Sequence, residues 1–248
     1  MDFTRIAVFS DIHANREAFA AVIEDAALQG ADGFVLLGDI VGYGPDPAWC
    51  LDRAIQLADG GAICVLGNHD HAINHSDARN PSAQALIHWT RGQLSAEQRG
   101  FLAGLPLTRR LDDMLFVHAS AQAPQEWVHV DGPGPALACL GASDAPVIVC
   151  GHMHRPALYS NDQRGGVQTH PVPLTTPMPL LLSRRWIGVC GSVGQPRDGI
   201  AQAAYVMIDK PNRQIAWRRV PYDAAATARK LRAADLPASL ADRLRSGR

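Results

Sequence analysis

The stretch IAVFSDIHAN, residues 6–15, sets four apolar residues against a polar cluster containing a carboxylate and an imidazole. The apolar half reads as a buried strand that stops at Ser10-Asp11. Asn15 then stands as an N-cap, and Phe19, Val22, Ile23, Ala26 and Ala27 recur at helical spacing until Gly30 closes the helix. The same unit follows twice more. FVLL at 34–37 ends at Gly38-Asp39, a helix starts near Pro47, and AICVL at 62–66 ends at Gly67-Asn68-His69-Asp70. This alternation predicts parallel strands covered by helices. Ligands of such sheets bind in the loops after the carboxyl ends of the strands, so the three polar clusters are expected on one side.

Further along, residues 82–104 read as helical, with Ser95 and Gln98 spaced as a capping box. MLFV at 114–117 is a strand ending at His118, and VIVC at 147–150 ends at Gly151-His152-Met153-His154. Hairpin-like strands follow around 157–159, 185–190, 204–208 and 214–220. The Pro-rich segment 171–179 reads as an extended surface loop. From Asp223 the tail is helical, broken at Pro237, with 246–248 expected to fray. With no polar linker and no internal repeat, residues 1–248 are expected to form one domain.

The composition is that of an ordinary globular protein, 47% hydrophobic and 19% charged over 248 residues. A net charge of −1 gives no electrostatic case for nucleic acid or an anionic membrane as a partner. Arginine outnumbers lysine, but it gathers in the last quarter without a dense run and reads as a solvated face. The five cysteines are odd in number and lack CxxC spacing, which points to buried reduced thiols. The opening MDFTRIAVFSDIH is neither signal peptide nor anchor, and no apolar run is long enough to span a bilayer. A cytoplasmic location is therefore expected; nothing in the sequence sets an oligomeric state.

Taken together, the strand ends supply carboxylates, imidazoles and one carboxamide, and no thiolate. That donor mixture suits Mn²⁺, Fe or Zn²⁺. In an extended chain, residues i and i+2 share a side, so Asp11 with His13, and His152 with His154, are expected to present paired ligands to one cavity. Glycines before Asp39, Asn68 and His152 allow close backbone approach. A single DxH or GxH is common by chance; five blocks in order, each directly after an apolar strand, are what carry the reading.

With those blocks in place, the sequence resembles the calcineurin-like metallophosphoesterases, whose pattern D-x-H, G-D-x-x, G-N-H-[DE], H and G-H-x-H is complete between residues 6 and 154. The wording GDIVGYGP at 38–45 and GSVGQPRDG at 191–199 is similar to the small prokaryotic branch. One departure is Gly42, where many members carry an acidic residue. The resemblance implies an α/β four-layer sandwich, two mixed β-sheets face to face with helices outside. It implies two divalent ions, Mn²⁺ foremost with Fe, Zn²⁺ or Ni²⁺ as alternatives. One ion is expected on Asp11, His13, Asp39 and His154, and the other on Asp39, Asn68, His118 and His152, with Asp39 bridging.

The implied reaction is hydrolysis of a phosphodiester, or a phosphomonoester, in a small substrate. A metal-bridging hydroxide attacks, and His69 serves as general acid, with Asp11 as its orienter; the alternative for His69 is an orienting hydrogen bond alone. Asn68 and Arg197 are expected at the substrate, although a surface salt bridge suits Arg197 equally. Asp70 reads as structural and Asn15 as a cap. His71, His75, His88, His129 and His170 read as surface or partly buried residues, and segments 74–95 and 119–135 as lid elements. A nucleotide-specific hydrolase, acting on a dinucleoside polyphosphate or cyclic nucleotide, is the alternative within the family. A non-catalytic metal-binding scaffold or sensor is the rival from another class, disfavoured because every ligand and His69 are present.

Overall fold

The computed structural model describes residues 2–75, 80–162, 165–174 and 176–248. In the first sheet β1 (Arg5–Phe9), β2 (Gly33–Leu36) and β3 (Ile63–Cys64) run parallel, with Ile6 opposite Gly33 and Val35 opposite Ile63. On the other edge of β1 lie β11 (Ala203–Asp209), β12 (Gln214–Val220) and β9 (Met178–Pro179), each antiparallel to its neighbour. The second sheet has the order β4 (Thr108–Leu111), β5 (Met114–Val117), β6 (Val147–Cys150), β10 (Arg185–Cys190), β7 (Pro156–Asn161), β8 (Val167–His170), and β5, β6 and β10 are parallel.

Strand alternation explains why two sheets stack. Ala7 and Phe9 point into an apolar cluster beneath α1 (Arg16–Leu28) and α2 (Pro47–Asp59). Ile6 and Val8 point the other way, into a core shared with Phe116, Val147, Val149 and Trp186 of the second sheet. Leu115, Ile148 and Ile187 face outward from that sheet and pack on Ala136, Cys139 and Leu140 of α6 (Pro133–Gly141). The layers are thus helix, sheet, sheet, helix, as the resemblance implies. Central strands apolar on both faces are what parallel sheets require. All five cysteines are free and buried, and no helix among the described residues is long and apolar enough to cross a membrane.

Several local readings change. Residues 82–104 form two helices, α4 (Pro81–Gly92) and α5 (Ala96–Gly104), because Ser95 caps the second. Its hydroxyl accepts the Gln98 N–H at 3.1 Å, and the Gln98 side chain accepts the Ser95 N–H at 2.9 Å. The third strand shrinks to 63–64, although Val65 N–H still reaches the Leu36 carbonyl at 3.0 Å. In the Pro-rich segment, Met178–Pro179 adds an edge strand to β12; Thr175 lies outside the described residues. The tail does not fray. α7 (Ala224–Ala233) and α8 (Ala238–Ser246) flank Pro237, and Gly247 takes the left-handed φ of +64° that ends a helix. Gly247 is buried, and its carbonyl accepts the Gly199 N–H at 2.8 Å.

Asp25 ties the outer helix to the sheet. On α1, its carboxylate accepts two bonds from Arg218 of β12, at 2.6 and 2.9 Å, and one from the buried Tyr205 of β11 at 2.6 Å. Partial burial pushes its pKa up, but Arg218 and Tyr205 outweigh that and hold it below the usual carboxylate value. A depressed folded-state pKa means the stabilisation is present above the unfolded value and is lost as pH falls through the folded one. Asp25→Asn is therefore expected to lower stability at pH 7 by roughly 1.5–3 kcal/mol. In denaturant unfolding across pH, the gap to the parent chain closes below about pH 4.

Candidate metal centre

Every block identified in the sequence lands at the carboxyl end of a strand. Asp11 and His13 follow β1, Asp39 follows β2, and Asn68 to Asp70 follow β3, opening α3 (Asn68–Asn74). His118 follows β5, and His152 with His154 follows β6. A sixth loop, carrying Gln195 and Arg197, follows β10. Both sheets thus converge on one cluster. The trios Asp11–His13–His154, His13–Asp39–His69 and Asp39–His118–His152 each hold donor atoms within 4.8 Å of one another. Asn68 Oδ1 joins them, 3.1 Å from His118 Nε2.

The backbone achieves this through strain rather than extension. Asp11, His13, Asp39, His152 and His154 all have φ between +48° and +66°. Non-glycine residues rarely adopt this region, which costs of order 1–3 kcal/mol each and concentrates at functional sites. The pairs do reach one cluster as expected, but the extended backbone expected to place them is corrected. Asp11 and His13 do share a trio, whereas His152 and His154 enter different ones. Tight turns, such as Met153 N–H to the Gly151 carbonyl at 2.8 Å, set the directions instead.

The donors are oriented for a cation. Backbone carbonyls only accept, so each fixes a proton on the imidazole nitrogen facing it. His13 Nδ1 lies 3.3 Å from the Val41 carbonyl, His118 Nδ1 2.7 Å from that of Leu37, and His154 Nδ1 2.6 Å from that of Gln195. Their Nε2 atoms therefore turn inward. Those of His13 and His154 face each other at 3.0 Å. Burial pushes His13 down to about 3, so its Nε2 carries a bare lone pair at neutral pH. Asp11 Oδ1, 3.2 Å from His154 Nε2, is buried without any hydrogen-bond partner. Facing acceptors and an orphaned carboxylate oxygen fit a divalent ion, and no thiolate competes.

Asp39 occupies the middle. Its Oδ2 is 3.4 Å from His118 Nε2 and 3.7 Å from His13 Nε2, and its Oδ1 accepts the His69 N–H at 2.8 Å. Burial raises its pKa, but His118 and His69 overcome this and hold it ionised. His118 responds in kind: burial lowers it, yet Asp39 and Asp11 lift it to about 9. His152 drops to about 4 through burial and the proximity of His118.

Around this centre, roles separate. Asp70 accepts N–H groups from Val41 at 3.1 Å and Gly67 at 3.3 Å, holding two ligand loops together; burial and the nearby Asp39 push it up to about 7. A side chain at Gly67 would collide with the backbone N and Oδ1 of Asp39. Asn15 is a cap, accepting the Ala18 N–H at 3.1 Å. The His69 ring lies against Tyr43 at 4.4 Å and His13 at 5.0 Å; Asp11 serves His13 and His154 rather than orienting it. Gly42 has φ +90°, and a Cβ there would meet His69 Nδ1 at 2.7 Å, which gives its departure from the family wording a local reason.

Among the described residues, Arg197 makes no salt bridge. Nε and Nη2 donate to Gln195 Oε1 at 3.3 and 2.8 Å, and the guanidinium sits 5.7 Å over the Tyr43 ring. His88 is exposed, and His170 bonds Ser160 at 2.8 Å. Of the two lid segments, 119–135 approaches the centre, while residues 76–79 of the other lie outside the described residues. Sequence reading singled out neither Tyr43 nor Trp127, and it read His129 as a surface or partly buried residue, which its exposure bears out. His129 stacks on His152 at 4.3 Å, and Trp127 stands 5.9 Å from His118. Nothing in their spacing marks them: Tyr43 is four residues past Asp39, and Trp127 is nine past His118.

Comparison with known proteins places the chain in one family. The chain matches the calcineurin-like phosphoesterases over residues 4–156. An uncharacterised protein of Methanocaldococcus jannaschii is 33% identical over 98% of both chains. A crystal structure described as a metallophosphoesterase from Sphaerobacter thermophilus superposes with a TM-score of 0.89 at 36% identity, covering 100% of each chain. A protein of Ralstonia nicotianae named bis(5'-nucleosyl)-tetraphosphatase, symmetrical, is 39% identical over 83 residues, 27% of this chain and 29% of its own.

Because His118 holds a proton up to about 9 without a cation, loading must expel it. Near pH 7.5, calorimetric titration with Mn²⁺ is expected to give a heat that varies with the buffer's ionisation enthalpy, corresponding to about one proton released per chain. Affinity is expected to fall as pH is lowered. Gly67→Ala is expected to lose metal binding in the same titration.

Proposed function

This chain belongs to the calcineurin-like phosphoesterase family, and from that premise we propose that it is a metal-dependent phosphodiesterase. The observation that carries the reading is the inward-facing donor set, in which the Nε2 atoms of His13 and His154 face each other at 3.0 Å beside the unpartnered Asp11 Oδ1. Asp11, His13, Asp39 and His154 would hold one divalent ion, and Asp39, Asn68, His118 and His152 a second, with Mn²⁺ foremost. When bound, such a pair supplies charge neutralisation for the phosphoester and lowers the pKa of water.

The chain's own groups supply the rest. Asp11, Asp39 and His118 close the floor, all at most 1% exposed, while half-buried Asn68, His69 and His152 line the side from which substrate enters. Asn68 steadies a phosphoryl oxygen. Arg197 has Nε and Nη2 committed to Gln195 and offers its Nη1 donors to another oxygen. His69, pinned by its N–H on Asp39 and by Tyr43, hands a proton to the leaving alkoxide. Burial lowers the pKa of its imidazole, and the nearby Asp39 pulls it the other way. A nucleotide-bearing substrate is a second reading, favoured by the likeness to the tetraphosphatase.

The test is elemental analysis of purified protein together with hydrolysis of bis(p-nitrophenyl) phosphate and p-nitrophenyl phosphate. Two ions per chain are expected, with diester turnover ahead of monoester, and Asp39→Asn losing both metal and activity. A protein that stays inactive after Mn²⁺ reconstitution would overturn the proposal. His69→Ala should keep its metal yet lose about 10²- to 10⁴-fold with an alkyl leaving group. With p-nitrophenolate, which departs without protonation, the loss should be much smaller; equal losses would instead assign His69 a structural role.

A further inference from the structure

The loop after His118 carries an arrangement that metal binding does not explain. Ala123 and Trp127, on either side of a short 3₁₀ turn (Pro124–Glu126), both have left-handed backbones, with φ of +50° and +52°. For a residue as bulky as tryptophan this is a strained choice. Trp127 belongs to none of the four apolar clusters among the described residues, so core packing does not account for it. Its half-buried ring stands beside the centre, 5.9 Å from His118 and 6.1 Å from His71. Two residues on, the exposed His129 lies nearly parallel to His152, 4.3 Å away at 24°. His71 in turn stacks on His75 at 4.6 Å.

The rim of the site is therefore divided by chemistry. One side, Tyr43 with Arg197 above it, presents a cation suited to phosphoryl oxygens. The other, Trp127 with His129 and His71, is aromatic and lies beside the half-buried ligands Asn68 and His152. Planar aromatic groups stack on such rings for about 1–3 kcal/mol each.

We propose that Trp127, flanked by His129, is a stacking wall that binds the base of a nucleotide whose phosphoryl group sits at the metal centre. This rests on the phosphoesterase reading and narrows it to base-bearing substrates.

The experiment compares adenosine 5'-monophosphate with ribose 5-phosphate, which differ only in the base, on the Mn²⁺-loaded full chain. Binding is read by calorimetry, or kcat/KM is compared if the monoesters are turned over. The nucleotide is expected to be favoured roughly 5- to 150-fold, the stacking range converted at 1.4 kcal/mol per tenfold. In Trp127→Ala the preference should fall to within about twofold. Trp127→Phe should retain most of it, which separates loss of the ring from loss of the fold. Equal handling of the two ligands by the parent chain overturns the proposal. So does a preference that survives Trp127→Ala, which would leave Trp127 as a cover over His118. A base preference without hydrolysis of any phosphoester would sink the phosphoesterase reading and leave this one standing. Hydrolysis without base preference would do the reverse.

Discussion

Electrostatic crowding among acceptors at the joined ends of the two sheets governs this molecule. The carboxylates of Asp11 and Asp39 lie buried 3.2–3.7 Å from the imidazoles of His13, His118 and His154, and the Nε2 atoms of His13 and His154 face each other at 3.0 Å. Burial of this kind is costly unless a charge of opposite sign is shared. Lifting His118 to about 9 is the partial remedy available to the protein alone. A divalent cation, which these donors could hold, would be the full one.

Holding such a cluster requires a frame that resists relaxation. The parallel strands, apolar on both faces, are locked between helices and the opposing sheet, so their ends are fixed points. From them the chain turns at left-handed residues, and Asp70 clamps two of the turns through Val41 and Gly67. Strain in the loops is offset by packing beneath them. Glycine at 67 lets Asp39 come into contact with the neighbouring turn, and glycine at 42 makes room for His69.

The C-terminal helices complete one wall. Ala228, Leu231, Leu240 and Leu244 pack against Tyr43 and Leu86. Thr227 bonds Asn15 and Glu17, and Lys230 pairs with Glu17 and Asp46. Tyr43 is thus pressed from outside by α7 and α8 while it touches His69, His13 and Arg197 on its inner side. Residues more than 150 positions apart in the chain act on one ring.

The sequence alone marked the central strands, the candidate donors and their common side, because apolar runs ending in polar blocks express burial directly, and burial is a property of composition at short range. It also marked Asn15 and Ser95 through local hydrogen-bonding chemistry. Other features had no local signature. Left-handed backbones at Asp11, Asp39 and His152 look like any other residue in a string, and the separation of His152 from His154 follows from those angles. The edge strands TRRL and VQTH alternate too weakly to be read. The ordered tail depends on Gly247 meeting Gly199, and Trp127 with His129 acquires meaning only beside His118 and His152. Contacts across long sequence separations have no period to betray them, so only the folded chain could decide them.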